Sequence, residues 1–312
     1  MHKDLLRTAD LSAVDLAALL DLSARLKSDP YAEAGRLRHE TVGVYFNKPS
    51  TRTRLSVATA IARLGGVPQV LGSGDLQLGR GETIEDTAAV LSRYLQAFVI
   101  RTFSDEDVAR FAAAASIPVI NALTDGHHPC QSLADLLTVR ERFGTLEGVR
   151  MAYLGDGNNV AHSLMEAGAL AGMDVVVATP KGYEPDPVVT AEAQRLAERH
   201  GGRITLTDDP GAAAAGAHAV YTDVWLSMGD PEGERARRLD DLAPYRVTEA
   251  LMAQARDDAV FMHCLPAHRG EEVDAAVIDG GRSVVFDQAE NRLCTVQAVL
   301  VALLDGRLEG AA

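Results

Sequence analysis

The chain has 312 residues, 47% hydrophobic and 24% charged, the balance of a globular protein of about two domains. A formal net charge of −14 argues against nucleic acid or an acidic membrane surface as a partner, so an anionic ligand must be met by local positive charge. Cys130, Cys264 and Cys294 are odd in number and lack metal-binding spacing, and the N-terminus is no signal peptide. Together they speak against a disulfide framework, a zinc finger or a membrane span and for a reducing, cytoplasmic setting.

Leu11 to Lys27 reads as an amphipathic helix starting near Ser12. Thr41 to Phe46, β-branched and aromatic, reads as a buried strand ended by Asn47-Lys48-Pro49. Leu55 to Leu64 has apolar residues three apart and stops at Gly65-Gly66, so it reads as a helix. Between them stand Ser50-Thr51-Arg52-Thr53-Arg54. A strand feeding a helix whose start carries three hydroxyls and two guanidiniums is an anion site, because helix N–H groups and dipole favour negative charge there. Ser50 suits the N-cap, and Arg52 offers a planar fork to a phosphate.

A strand over Val67 to Leu71 is followed by a glycine-rich loop, Gly72 to Gly81, which reads as a plain connector. A helix then runs from Glu82-Thr83 toward Tyr94. Ala97 to Ile100 is a short strand ending at Arg101, Ser104 to Ala115 a helix, and Pro118 to Asn121 a strand. His127-His128-Pro129-Cys130-Gln131 opens a long helix through Phe143, with Pro129 fitting its first turn and His128 and Gln131 directed toward the strand ends. Gly144 to Gly148 is a natural boundary.

Val149 to Leu154 begins a second alternation of strands and helices. Gly155-x-Gly157 invites a dinucleotide reading, but the third glycine position is Val160 and no acidic residue ends the next strand, Asp174 to Ala178. Helices follow over Pro187 to His200 and Pro210 to Ala215, and strands over Arg203 to Leu206 and Ala219 to Thr222. Asp223-Val224-Trp225-Leu226-Ser227-Met228-Gly229 again stands at a strand end, and the charged run to Leu242 reads as a flexible stretch, either a lid or a solvated insertion. Thr248 to Arg256 is a helix, Ala259 to Met262 a strand leading into His263-Cys264-Leu265-Pro266, Ser283 to Phe286 a last strand, and Thr295 to Leu304 a C-terminal helix. The expected fold is α/β: two parallel-sheet domains with helices on both faces and the active site in the cleft between them, where strand ends collect polar residues.

S-T-R-T-R, H-P-x-Q, D-x-W-x-S-M-G and H-C-L-P, in this order, resemble the aspartate/ornithine carbamoyltransferase family over nearly the whole chain, and the last two resemble its ornithine-using branch. The resemblance implies carbamoyl transfer from carbamoyl phosphate to the δ-amine of L-ornithine, giving L-citrulline and phosphate in arginine metabolism, with a relative acting on putrescine or N-acetylornithine, or a non-catalytic carbamoyl phosphate-binding relative, as the alternatives. It implies that residues 1–144, joined by a C-terminal helix over 293–312, bind carbamoyl phosphate and that 145–292 bind ornithine. Ser50, Thr51, Arg52 and Thr53 would hold the phosphate, with Arg101 bridging to the carbonyl oxygen, His128 polarising that oxygen and Gln131 orienting the carbamoyl amide. Cys264, Leu265 and Arg292 would form the rest of that wall. Asn159, Asp223, Ser227 and Met228 would bind the α-amino and α-carboxylate groups of ornithine. The family's usual assignment would make Cys264 the general base, with a part of the site wall as its other role, and would make Arg101, His128 and Asp223 its companions in catalysis. Gln77 would reach a neighbouring subunit's site, which implies a homotrimer. No metal or organic cofactor is implied.

Overall fold

The computed structural model describes residues 3–78, 81–226 and 232–310. The chain divides into two compact units, Met1–Leu137 with Glu290–Ala312, and Thr138–Ala289.

In the first unit α1 (Ala13–Ser28) precedes β1 (Thr41–Phe46), α2 (Arg52–Arg63), β2 (Val67–Gly72), α3 (Ile84–Leu91), β3 (Ala97–Arg101), α4 (Asp105–Ala114) and β4 (Val119–Leu123). The helix α5 (Pro129–Phe143) follows and crosses the unit boundary. The sheet is parallel in the order β2-β1-β3-β4. Apolar residues of β1 and β3 are buried on both faces, as parallel strands covered by helices must be. Phe98 stacks on Phe111, tying β3 to α4. β2 is an edge strand with exposed positions.

Asp15 fastens this unit at both ends of the chain. It closes a capping box with Ser12, whose Oγ accepts the Asp15 N–H at 3.0 Å. Its carboxylate also accepts the N–H groups of Glu309 and Gly310, at 3.0 and 2.9 Å. Burial pushes this carboxyl up, but those bonds and the ones from Ser12 outweigh it and hold it below its ordinary 3.8. Asp15→Asn is expected to cost about 2 kcal/mol at neutral pH, since a cap and two bonds to a charged acceptor weaken together. A depressed carboxylate stabilises above its unfolded pKa and loses that contribution as pH falls through the folded one. The melting temperatures of the two proteins should therefore converge only on acidification below the ordinary carboxylate range.

The second unit holds β5 (Arg150–Leu154), α6 (Asn159–Leu170), β6 (Asp174–Ala178), α7 (Pro187–His200), β7 (Arg203–Thr207), α8 (Pro210–Ala214), β8 (Ala219–Thr222), α9 (Arg235–Leu242), α10 (Glu249–Met252), β9 (Val260–His263) and α11 (Ala275–Ile278). Its parallel sheet has the order β7-β6-β5-β8-β9. The last helix, α12 (Val285–Leu304), starts here and ends in the first unit.

Three expectations are corrected. Ser283 to Phe286 is not a strand: only Ser283 bridges Phe261, and α12 has begun by Val285. The buried stripe of α12 runs through Val285, Gln288, Asn291, Arg292 and Thr295, a helical spacing hidden in sequence because its middle members are polar. α2 starts at Arg52 rather than Leu55, so Arg52, Thr53 and Arg54 are its first turn. The charged run is not a flexible stretch from 232 onward; it forms a 3₁₀ turn over Glu232–Glu234 and then α9. No helix among the described residues is long and apolar enough to cross a membrane.

Candidate active site

In an open parallel sheet a crevice forms outside the strand ends where the strand order reverses. In the first unit that point lies between β1 and β3, whose ends are Phe46 and Arg101. Beyond β1, the Ser50 Oγ accepts the Thr53 N–H at 3.2 Å, tightening the turn that opens α2. Asn47 N–H donates to the Arg101 carbonyl, so this turn is tied to the end of β3. The register slips where Ile100 pairs with Asn121 but Arg101 with Leu123, so Ala122 is the extra residue of a bulge beside the buried Arg101.

α5 and α12 complete this half. Arg292 donates from Nη1 to Gln131 Oε1 at 3.0 Å and from Nη2 to Thr53 Oγ1 at 2.7 Å. Gln131 Nε2 donates to the fully buried Asp135 at 2.8 Å. The Gln131 amide is thereby oriented, its oxygen toward Arg292 and its nitrogen toward the carboxylate. A carbonyl oxygen keeps a second lone pair for a ligand N–H, and Thr53, accepting from Arg292, keeps its own O–H to donate. Burial, then the charges of Arg292 and Arg101, hold the His128 pKa well below the ordinary 6.5, so its ring is neutral at physiological pH. A neutral imidazole donates one hydrogen bond without adding a third charge. Asp105 braces the loop before α5. It accepts from Thr124 and from the Gly126 N–H, and lies 2.8 Å from His127 Nδ1.

Thr53, Arg101, His128, Gln131 and Arg292 are thus gathered in one cluster, with Ser50, Thr51 and Arg52 at the head of α2 beside it. Gln77 stands exposed on the loop after β2. Lys48 was passed over in sequence as part of a strand stop. It is buried, pairs with Asp125 and lies 4.2 Å from the centre of the Phe103 ring, placing another cation next to the anion turn.

The order reverses in the second unit between β5 and β8. Asn158 caps α6: its Oδ1 accepts the Val160 and Ala161 N–H groups, at 2.9 and 3.3 Å. Its Nδ2 donates to Asp223 Oδ2 at 2.8 Å. Asp223 Oδ1 accepts the Cys264 thiol hydrogen at 2.8 Å. The ends of β5, β8 and β9 therefore converge on one carboxylate. Asn159 is the first residue of α6, and Leu265 follows Cys264 with a positive φ of 57°. Ser227 and Met228 lie outside the described residues. Asn158 stands out in sequence, with Asn159, as a polar residue at a strand end; its capping role is signalled by the apolar helical run that follows it.

The glycines read as a failed dinucleotide turn have a packing reason. A Cβ on Gly157 would come within 2.3 Å of the Pro185 backbone nitrogen, so only glycine lets that segment pass. Arg238 of α9 closes the same loop from the other side. It donates to the Trp225 carbonyl at 2.8 Å, pairs with Asp156 and stacks over Tyr183. Asp223, His263 and Cys264 each present one donor atom within 4.8 Å of the others. Both His263 ring nitrogens, however, are engaged in protein hydrogen bonds, so His263 is not available to hold a metal with Asp223 and Cys264.

Comparison with known proteins finds matches to both parts of the chain. The model of the aspartate/ornithine carbamoyltransferase carbamoyl-P binding domain matches residues 3–141, and that of the Asp/Orn binding domain matches residues 147–303. An ornithine carbamoyltransferase of Acidothermus cellulolyticus is 54% identical over 305 residues, 98% of this chain and 97% of that protein. One from a Parafrankia species is 56% identical over 304 residues, 96% of each. Among solved structures, ornithine carbamoyltransferase from Pyrococcus furiosus superposes with a TM-score of 0.93 at 49% identity, covering 97% of both chains.

Proposed function

The chain belongs to the aspartate/ornithine carbamoyltransferase family, and from that premise we propose that it transfers the carbamoyl group of carbamoyl phosphate to the δ-amine of L-ornithine, giving L-citrulline and phosphate. The observation that carries this reading is the buried Thr53–Arg292–Gln131 chain beside a neutral His128 and Arg101.

The chemistry follows from these groups. The phosphate of the donor sits at the head of α2, on Ser50, Thr51, Arg52 and Thr53, where helix N–H groups and the Arg52 fork meet its charge. Attack by the amine on the carbamoyl carbon moves negative charge onto the carbonyl oxygen. Thr53, Arg101 and His128 are the donors for that oxyanion. The Gln131 oxygen accepts from the carbamoyl amide and keeps the carbon facing its nucleophile. Phosphate departs as an anion stabilised by Arg52 and the helix terminus, and it can take the proton the amine must lose.

Ornithine is held by the second unit. Asp223 meets the α-amino group, with Asn159, Ser227 and Met228 completing the α-group contacts. Cys264 steers the reacting amine together with Asp223, and Leu265 lines the same wall. The Cys264 thiol donates to Asp223, so acting as general base requires that its proton first pass to that carboxylate.

A ureido-product assay with carbamoyl phosphate tests the assignment, offering ornithine, putrescine, N-acetylornithine, lysine and aspartate in parallel. Turnover with ornithine alone is expected. Turnover with putrescine or N-acetylornithine instead would overturn the α-group assignments while sparing the phosphate half.

The working form is a cytoplasmic homotrimer in which Gln77 reaches a neighbour's site. The exposure of Gln77 and of Leu55, Val67, Val90 and Tyr94 on the first unit supports this. Mixing inactive Gln77→Ala and Arg52→Ala chains under dissociating conditions should then restore activity, because some mixed sites receive both wild-type residues. Mixtures that stay inactive, or a monomeric sedimentation profile, would refute it.

A further inference from the structure

His263, the last residue of β9, and Glu272 have no solvent exposure. A carboxylate this deeply buried must be met by donors. Its Oε1 lies 3.2 Å from His263 Nε2 and also accepts the His268 N–H. The other ring nitrogen, Nδ1, accepts the Leu265 N–H at 2.8 Å. An imidazole nitrogen that accepts carries no hydrogen, so the ring hydrogen sits on Nε2 and is given to Glu272. The backbone of His263 is pinned as well. Its N–H donates to Gln288 Oε1 at 2.9 Å, and Gln288 donates on to the Tyr221 hydroxyl.

Leu265 is where this matters. Its φ of 57° lies in the left-handed region, which a branched side chain adopts at a cost and keeps only where its surroundings hold it. The bond to His263 Nδ1 is such a hold. It exists only in the tautomer whose hydrogen is on Nε2, the one that Glu272 selects.

We propose that Glu272 and His263 are positioning residues: Glu272 fixes the His263 tautomer, and His263 Nδ1 then holds Leu265 in its left-handed turn and sets how Cys264 and Leu265 meet the substrates. The proposal rests on the reading that places Cys264 and Leu265 in the site. It differs from a plain buried acid–base pair, which asks only that Glu272 find a donor and is indifferent to Nδ1.

Two replacements separate the ring nitrogens. The amide of asparagine falls where Nδ1 was and can accept from Leu265, whereas that of glutamine reaches where Nε2 was and can donate to Glu272. His263→Gln should be the more stable variant yet lose at least about tenfold in kcat, the scale of one lost orienting hydrogen bond and its register. His263→Asn should melt lower, because Glu272 has lost a donor, yet keep the higher kcat. The double variant His263→Asn with Glu272→Gln removes the stranded charge, so it should regain stability and keep that kcat even if the single variant folds poorly. Activity ranked in the same order as stability across these variants would overturn the proposal.

Nitrogen-15 spectra of the histidine-labelled protein give an independent readout. The resonance lost in His263→Asn should show an unprotonated Nδ1 and a protonated Nε2. The reverse tautomer would also overturn the proposal. Cys264→Ala and Leu265→Ala are measured in parallel. If both leave kcat and each KM unchanged, the placement of this segment in the site fails and the proposal with it. If they lower kcat while the His263 variants track stability, the positioning role fails alone.

Discussion

Arg52→Ala is expected to lower kcat/KM for carbamoyl phosphate by about a thousandfold, ~4 kcal/mol of transition-state stabilisation, while the melting temperature barely moves. The kinetic loss follows from position. Arg52 is the first residue of α2, where the helix N–H groups and dipole favour an anion, and in the proposed site its fork would supply two parallel donors to one phosphate. The charge on the leaving phosphate grows as the bond to carbon breaks, so the lost interaction is stronger in the transition state than in the bound substrate. Stability is spared because Arg52 is only half-buried and alanine is the best helix former for that position. Arg52→Lys should recover only part of the loss, since an ammonium offers a point charge without the planar fork. Steady-state kinetics with carbamoyl phosphate varied at saturating ornithine decide it. A loss under tenfold would remove Arg52 from the phosphate site.

The second large effect belongs to His128. His128→Ala should lower kcat by about two to three orders of magnitude with little change in KM for carbamoyl phosphate, because the ring serves an oxygen whose charge develops during reaction. Its pH signature is specific. Burial and the charges of Arg292 and Arg101 keep the ring neutral well below its ordinary pKa, so it does not titrate across the working range. Deleting it should therefore scale the kcat–pH profile down without removing either limb between about pH 6 and pH 9. A variant that loses the acidic limb would show that His128 acts as a titrating acid or base instead.

Strand ends were legible because their signals are local. Hydroxyls and guanidiniums packed between a β-branched run and a helical run can be read on adjacent residues, as at 50–54. What depends on contacts far along the chain was not. Thr53 and Arg292 meet across most of the sequence, and nothing near Arg292 says so; only the family resemblance put it in the site. α12 was cut short because Gln288, Asn291 and Arg292 occupy its buried stripe, and polar residues there erase the apolar period. Asn158 and Asp135 were within reach: one is a helix cap, the other stands four residues after Gln131 on the same helix face. Glu272 was not, because one of two adjacent glutamates in a polar loop reads as solvated until its burial is known.

The first unit is built from two separated pieces of chain, Met1–Leu137 and Glu290–Ala312. A ribosome makes them in order, with the whole second unit between, and domains fold as their segments emerge. Residues 138–284 are made before the last helix begins. The first unit must wait, because Arg292, which anchors both Gln131 and Thr53, is made only after the whole second unit. A chain that stalls or is clipped before Arg292 would carry every strand of both sheets and still lack the residue that joins Gln131 to Thr53. Assembly of the Thr53–Arg292–Gln131 chain is thereby tied to synthesis of the segment that follows the second unit.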